Sequence, residues 1–344
     1  MGVRLGRSAV VSDTGRRRRS NEDSYVCEPP LFAVADGMGW AQAGEVASGL
    51  AAAVLEEANG DELREERIVE LIQEANRRVF KRSHEDPSAS GMGTTMTVAV
   101  TGHDGKVLIG HVGDSRAYRI RGGSLEQLTK DHSLVGELMR SGKLSPEEAE
   151  THPQRSVITR AVGTEPDVDV DTFTVDTEAG DVFLLCSDGL TDMVSDDAIQ
   201  SLLAGREGEL EDVARELVEA ANTSGGEDNI TVVVFEIVDS GSVVDDTIAM
   251  PAAATEVATT DDEDTLSGLE DVPAVDTAVV PAAAIQEHLA ATGELRTQAT
   301  TIERPTIERP SPPPAAPKRR LGPLILLVLL LSAIVVLVVW GLYR

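Results

Sequence analysis

The sequence predicts an α+β domain of antiparallel strands with helices grouped outside them, followed by a polar linker and a C-terminal transmembrane helix. Three features carry that prediction. Short apolar runs are parted by glycine turns, longer segments show helical patterning, and a closing aliphatic stretch is unbroken by charge.

Taken in chain order, apolar runs read as strands at 31–35, 94–101, 106–111, 181–187 and 230–238. His103-Asp104-Gly105 and Arg121-Gly122-Gly123 have the composition of hairpin turns between them. Helical segments are expected at 44–58, 68–82 and 210–222, the second with Glu70, Glu74, Arg77 and Arg78 on a polar side. Antiparallel strands with segregated helices indicate α+β rather than a doubly wound parallel sheet. Residues 1–239 are therefore read as one folded domain.

Composition changes at 240. Residues 240–320 are rich in Ala, Thr, Pro and acidic side chains and nearly lack aromatics. Such a stretch cannot bury enough apolar surface to offset its ordering entropy, so a disordered linker is expected. It holds a tandem repeat, Thr301-Ile302-Glu303-Arg304-Pro305 and Thr306-Ile307-Glu308-Arg309-Pro310, before a proline-rich run. Residues 321–342 are dominated by Leu, Val and Ile and match the length a helix needs to cross a bilayer. Lys318, Arg319 and Arg320 precede this span and only Arg344 follows it, which by charge bias places the N-terminal domain in the cytoplasm. The opening residues carry no apolar leader. The expectation is a single-pass cell-membrane protein with its folded domain on the cytoplasmic side.

The formal net charge is -29. Nucleic-acid binding through phosphates calls for a basic face, and the run Arg16-Arg17-Arg18-Arg19 is the one local exception to the acidity. Cys27 and Cys186 are the two cysteines, far apart and without a C-x-x-C pair, which excludes a zinc knuckle or a disulfide framework. Cys186 lies inside an apolar run and is read as a small core residue.

The informative pattern is the placement of acids. Asp36 directly follows the run 31–35, Asp114 follows 109–113, Asp188 ends the strand carrying Phe183-Leu184-Leu185, and Asp228 precedes the strand opening at Ile230. Glycines stand beside them at 37, 113, 189 and 226, and Glu22-Asp23 has a similar setting. A carboxylate at the end of a buried strand is costly unless its charge is compensated. Singly, each Asp-Gly or Gly-Asp pair is an ordinary turn. Together, converging carboxylates would require cations between them, and all-oxygen ligands favour Mg²⁺ or Mn²⁺ over zinc. A pair of such ions can activate water and clamp a phosphoryl group.

Arg18-Arg19-Ser20-Asn21-Glu22-Asp23, Ala35-Asp36-Gly37-Met38-Gly39, Gly93-Thr94-Thr95, Gly113-Asp114-Ser115-Arg116, Ser187-Asp188-Gly189-Leu190 and Glu227-Asp228-Asn229-Ile230-Thr231 occur in this order. The ordered set resembles the metal-dependent protein phosphatases of the PPM (PP2C-type) family, most closely bacterial membrane-tethered members that oppose serine/threonine kinases. The resemblance covers roughly the first 238 residues. It implies two antiparallel sheets packed face to face with helices outside, and a phosphatase acting on phosphoserine and phosphothreonine in phosphorylated proteins.

Carried over by motif, Asp36 bridges two Mn²⁺ or Mg²⁺ ions. Glu22 and the Gly37 carbonyl complete one, and Asp188 and Asp228 hold the other. Asp23 acts through a metal-bound water, and Asp114 shares a weaker third ion with Asp188. Arg18 grips the substrate phosphate, for which a planar guanidinium fork is suited; Arg16, Arg17 and Arg19 are read as a solvated basic loop. The segment 131–162, with His132, His152, Pro153 and Arg155, resembles a flap beside the active site, its histidines serving packing or substrate contacts. Met38 stands where many eukaryotic relatives have histidine, and Trp40 replaces a common glycine. Trp40 keeps a second reading open, a pseudophosphatase adaptor that binds without turnover. A carboxylate-metal nuclease conflicts with the acidity.

Overall fold

A computed structural model of the chain describes residues 2–39, 43–58, 62–102, 104–205, 208–241 and 278–279. The expected linker, apart from its first residues and that short pair, and the expected span at 321–342 lie outside the described residues, as does Trp40. The pair Ala278–Val279 runs parallel to Val157–Ile158 as a two-stranded ladder, which corrects the expectation of disorder at that point of the linker. Among the described residues, no helix is long and apolar enough to cross a membrane.

The elements run β1 (Val3–Asp13), β2 (Asp23–Glu28), β3 (Leu31–Met38), α1 (Ala43–Glu57), α2 (Glu65–Glu85), β4 (Gly93–Thr94), β5 (Met96–Thr101), β6 (Lys106–Val112), β7 (Arg116–Arg121) and β8 (Ser124–Gln127). They continue as α3 (Leu134–Arg140), α4 (Pro146–Glu150), β9 (Val157–Ile158), β10 (Asp171–Asp176), β11 (Val182–Cys186), α5 (Asp188–Thr191), α6 (Asp196–Ala204), α7 (Leu210–Ser224) and β12 (Ile230–Asp239). One antiparallel sheet has the order β1-β12-β11-β7-β8, and the other β10-β6-β5-β3-β2 with β4 paired to β3.

Side-chain alternation along the strands explains the layering. On β12, Ile230, Val232 and Val234 point to one side, where they pack with α6 and α7 through Ile199, Leu203, Val213 and Leu217. Val233, Phe235 and Ile237 point to the other and meet Phe32, Val34, Ala99 and Ile109 of the second sheet. On β3, Leu31, Ala33 and Ala35 turn outward to α1 and α2, where Ala47, Leu55, Ile68 and Ile72 cover them. The product is a helix–sheet–sheet–helix sandwich. Its middle is marked by Phe235, whose ring stacks on Phe32 at 4.3 Å and on Phe183 at 5.1 Å. Strands covered on both faces have to be apolar at every position, which is why they appear in the sequence as unbroken runs. Cys186 is fully buried against the helical layer, as a small core residue should be.

The structure adjusts several boundaries. The strand read as ending at 35 continues as β3 to Met38, so Asp36 and Gly37 sit within a strand and not after it. Thr95 divides the expected strand 94–101 into β4 and β5. Asp188 is the first residue of the short helix α5, one position beyond Ser187. β1, β2, β7, β8 and β10 are additional strands; β1, β2, β8 and β10 are partly exposed and carry too many polar residues to stand out by hydropathy.

Candidate active site

Strand register brings the acidic residues to one end of the sandwich. Asp23 opens β2 directly opposite Asp36 on β3. In the other sheet, Cys186 at the end of β11 faces both Arg116 and Val232, which brings Asp114, Asp188 and Asp228 to the same end. The two sheets are tied together there by hydrogen bonds. Ser187 Oγ donates to Asp23 Oδ2 at 2.8 Å, and the Glu22 amide donates to Asn229 Oδ1 at 2.8 Å. All of the acids expected from the sequence, Glu22, Asp23, Asp36, Asp114, Asp188 and Asp228, therefore border one cleft.

Backbone geometry fixes the Asp36–Gly37 segment. The Asp36 amide donates to Thr95 Oγ1 at 2.9 Å, and the Asp36 carbonyl accepts from Thr94 Oγ1 at 2.8 Å and from the Thr95 amide at 2.9 Å. The Gly37 amide donates to the Glu22 carbonyl at 3.1 Å. A Cβ on Gly37 would lie 2.1 Å from the Gly44 carbonyl oxygen, so only glycine lets β3 and α1 approach this closely. A Cβ on Gly44 would meet Glu22 Oε2 at 2.6 Å and the Gly37 carbonyl oxygen at 2.8 Å. Those two oxygens thus approach the same small volume beside Gly44.

Electrostatics show the strain among the acids. Burial, then the charges of Asp23, Asp188, Asp228 and Asp114, hold the Asp36 carboxyl well above the usual carboxylate range. Burial, with Asp114, Asp228 and Asp192, does the same to Asp188. Burial pushes Asp114 up to about 7, with Asp131 and Asp192 adding to the rise. Glu22 also rises to about 7 through burial, Arg18 opposing and Asp228 reinforcing it. Asp23 is raised for the same first reason.

Asp23 Oδ1, Asp114 Oδ1 and Asp188 Oδ1 are buried oxygens with no hydrogen-bond donor. Clustered, desolvated carboxylates with unpartnered oxygens fit hard divalent cations, which supply counter-charge and ligation together. As placed, however, no three His, Cys, Asp or Glu side chains among the described residues close on a single point as metal ligands do. The Arg18 guanidinium is the nearest countercharge, with Nη2 donating to Asp228 Oδ2 at 2.7 Å.

Asn229 and Ser187 hold this arrangement, and their importance is not legible from residue type. Asn229 Nδ2 donates to the carbonyls of Thr14 and Ser20, both at 2.9 Å, while its Oδ1 receives the Glu22 amide. One side chain therefore closes the arginine loop and sets Glu22. Asp192 is another acid of the cleft that motif reading passes over. Its only signal is its place four residues after Asp188, on the same side of a helical turn.

The segment 131–162 packs beside the cleft through α3, α4 and β9. His132 is buried, its amide donating to the Gly113 carbonyl at 2.8 Å and its Nδ1 accepting from the Gly113 amide at 3.1 Å. His152 Nδ1 accepts from the Gln154 amide at 3.2 Å. Among the described residues, neither histidine enters a cluster of metal-ligating side chains. Met38 is buried against Ile158 and Ala161 of this segment. Arg155 stands 3.8 Å from both Asp192 and Glu227.

Comparison with known proteins gives concordant matches. The family model described as Protein phosphatase 2C matches residues 17–230. The serine/threonine phosphatase stp of Listeria monocytogenes serotype 4b (strain F2365) is 41% identical over 238 residues, covering 65% of this chain and 93% of that protein. The crystal structure of the Mycobacterium tuberculosis serine/threonine phosphatase PstP/Ppp superposes with a TM-score of 0.65 at 39% identity, covering 68% of this chain and all of that one (100%). A structure of the PstP catalytic domain in complex with 2 manganese ions has a TM-score of 0.63 at 38% identity, covering 69% of this chain and 100% of that one.

Proposed function

The chain belongs to the protein phosphatase 2C family, and on that premise we propose that it is a metal-dependent serine/threonine protein phosphatase that removes phosphate from proteins phosphorylated by serine/threonine kinases. The observation that carries this reading is the meeting of six carboxylates from both sheets at one cleft, with the Arg18 guanidinium beside them.

In the proposed chemistry, Asp36, Glu22, the Gly37 carbonyl, Asp188 and Asp228 would hold two Mn²⁺ or Mg²⁺ ions. Asp114, with Asp188, would hold a weaker third ion, and Asp23 would support the site from behind. When bound, such cations would supply water of lowered pKa and offset the charge that develops on phosphorus. Arg18 binds the phosphate, with its fork pairing two oxygens, and leaves Asp228 free to ligate when it does so. Met38 cannot donate a proton, so the serine or threonine leaving group takes its proton from water in the cleft. The backbone clamps on Asp36 and Glu22 keep the ligands in place without moving elements, as preorganised stabilisation requires.

The test is direct. The full-length protein should hydrolyse p-nitrophenyl phosphate and phosphothreonine peptides with Mn²⁺, stop when a chelator is added, and lose turnover in Asp36→Asn. Binding of phosphopeptide without any hydrolysis in Mn²⁺ would instead establish the adaptor reading.

We further propose that residues 321–342 anchor the protein in the cell membrane as a single span, with residues 240–320 linking it to the catalytic domain in the cytoplasm. The aliphatic composition and the preceding Lys318-Arg319-Arg320 support this. Removing 318–344 should release the protein from membranes into the soluble fraction. Membrane retention of that truncated protein would refute the anchor.

A further inference from the structure

We propose that Arg17 and Arg19 form a basic lip beside the phosphate-binding arginine, selecting phosphopeptides with Asp or Glu next to the phosphorylated residue; this rests on the phosphatase reading above. The loop that carries them is held in place by its backbone. The amides of Arg16 and Arg17 both donate to the Gly226 carbonyl, at 2.7 and 3.2 Å. Asn229 Nδ2 secures the carbonyls of Thr14 and Ser20 on either side. The loop is thus fixed against the turn that leads into Asp228, which keeps Arg17 and Arg19 beside Arg18.

Within this loop the arginines divide by environment. Arg18 is partly buried and turned onto Asp228, whereas Arg16, Arg17 and Arg19 are exposed. Arg16 approaches Asp13 at 3.8 Å. Arg17 and Arg19 enter no ion pair among the described residues, although most arginines of the domain are tied to carboxylates. In a chain with 59 acidic and 30 basic residues, two unpaired arginines side by side with the catalytic one stand against the composition.

Chain geometry matches the lip to a peptide. Adjacent Cα atoms are about 3.8 Å apart, so Arg17 and Arg19 flank Arg18 at the spacing that separates a phosphorylated residue from its neighbours. When the phosphate is on Arg18, side chains one or two positions away fall within reach of the flanking guanidiniums. Distance also decides which charge an incoming peptide feels. At physiological salt the Debye length is about 8 Å, so the net negative charge of the whole molecule is largely screened while contacts at the lip persist. A peptide of acidic flank is therefore attracted at the site by a protein that is acidic overall.

An exposed ion pair changes an equilibrium constant by roughly 1.5- to 5-fold, and two of them give an expected preference of about 2- to 25-fold. The experiment compares kcat/KM of the full-length protein, solubilised in detergent with Mn²⁺, on two phosphothreonine peptides that differ only in having Glu or Ser at flanking positions. The wild type should prefer the Glu peptide at 50 mM salt and lose the preference by 0.5 M, values chosen to span the screening range. Arg17→Ser/Arg19→Ser should abolish the preference through a raised KM for the Glu peptide, with p-nitrophenyl phosphate turnover unchanged. Equal kcat/KM for both peptides in the wild type, or a preference that survives in the double variant, would overturn the lip while leaving the phosphatase reading standing. Absence of p-nitrophenyl phosphate turnover in the wild type would overturn both.

Discussion

Asp114→Asn tests whether the carboxylate cluster carries the stored repulsion that the geometry implies. Asp114 is buried, one of its oxygens has no donor, and its folded pKa is pushed up to about 7. An unfolded aspartate titrates near 4. Between those values the folded state holds a proton that the unfolded state has released, so stability is full below about pH 4 and falls as pH rises through 7. Three units at about 1.4 kcal/mol each give about 4 kcal/mol as an upper bound. Neighbouring acids recover part of this by adjusting their own protonation, which leaves about 2 kcal/mol as the expected cost of ionised Asp114 in metal-free protein.

Asparagine has the shape of the protonated acid without the titration. Urea unfolding of full-length protein in excess chelator should therefore show the variant about 2 kcal/mol more stable near pH 8 and nearly equal to wild type near pH 4. With saturating Mn²⁺ the gain should shrink, because cations that bind only the folded protein stabilise the wild type more. A gain of the same size at both pH values, or a loss at pH 8, would show that Asp114 bears no charge repulsion in the folded state.

Two further substitutions probe the geometry around the site. Gly44→Ala places a methyl group 2.6 Å from Glu22 Oε2 and 2.8 Å from the Gly37 carbonyl. It should weaken Mn²⁺ binding by about tenfold or more, read by titration calorimetry, with circular dichroism showing the fold retained. Asn229→Ala strands the Glu22 amide and the carbonyls of Thr14 and Ser20. It should destabilise the domain by about 2–4 kcal/mol in denaturant unfolding and raise KM for phosphopeptides, since Arg18 loses its fixed loop.

Legibility in the sequence followed burial. β3, β11 and β12 are sandwiched between a helical layer and the opposite sheet, so their runs are apolar throughout and visible. β1 is partly exposed at every position, and its sequence Val-Arg-Leu-Gly-Arg-Ser carries no comparable signal. The acids were legible because aspartate beside glycine next to an apolar run is unusual when repeated. Their partners were not. Nothing in the residue type of Asn229 or Ser187 distinguishes a side chain that joins two sheets from one that caps a turn, because that role exists only once distant segments meet. Asp36 was placed one step too far along because its strand continues through the glycine that follows it.

β12 is the last strand of the domain in sequence, yet it lies inside its sheet between β1 and β11. Asn229 and Asp228 immediately precede it, so the strand sets the place of both. During synthesis, then, a chain that has not yet delivered this strand has no seat for β1, no clasp for the arginine loop and only part of its ligand set. A chain that ends before Asp228 should therefore show no phosphatase turnover.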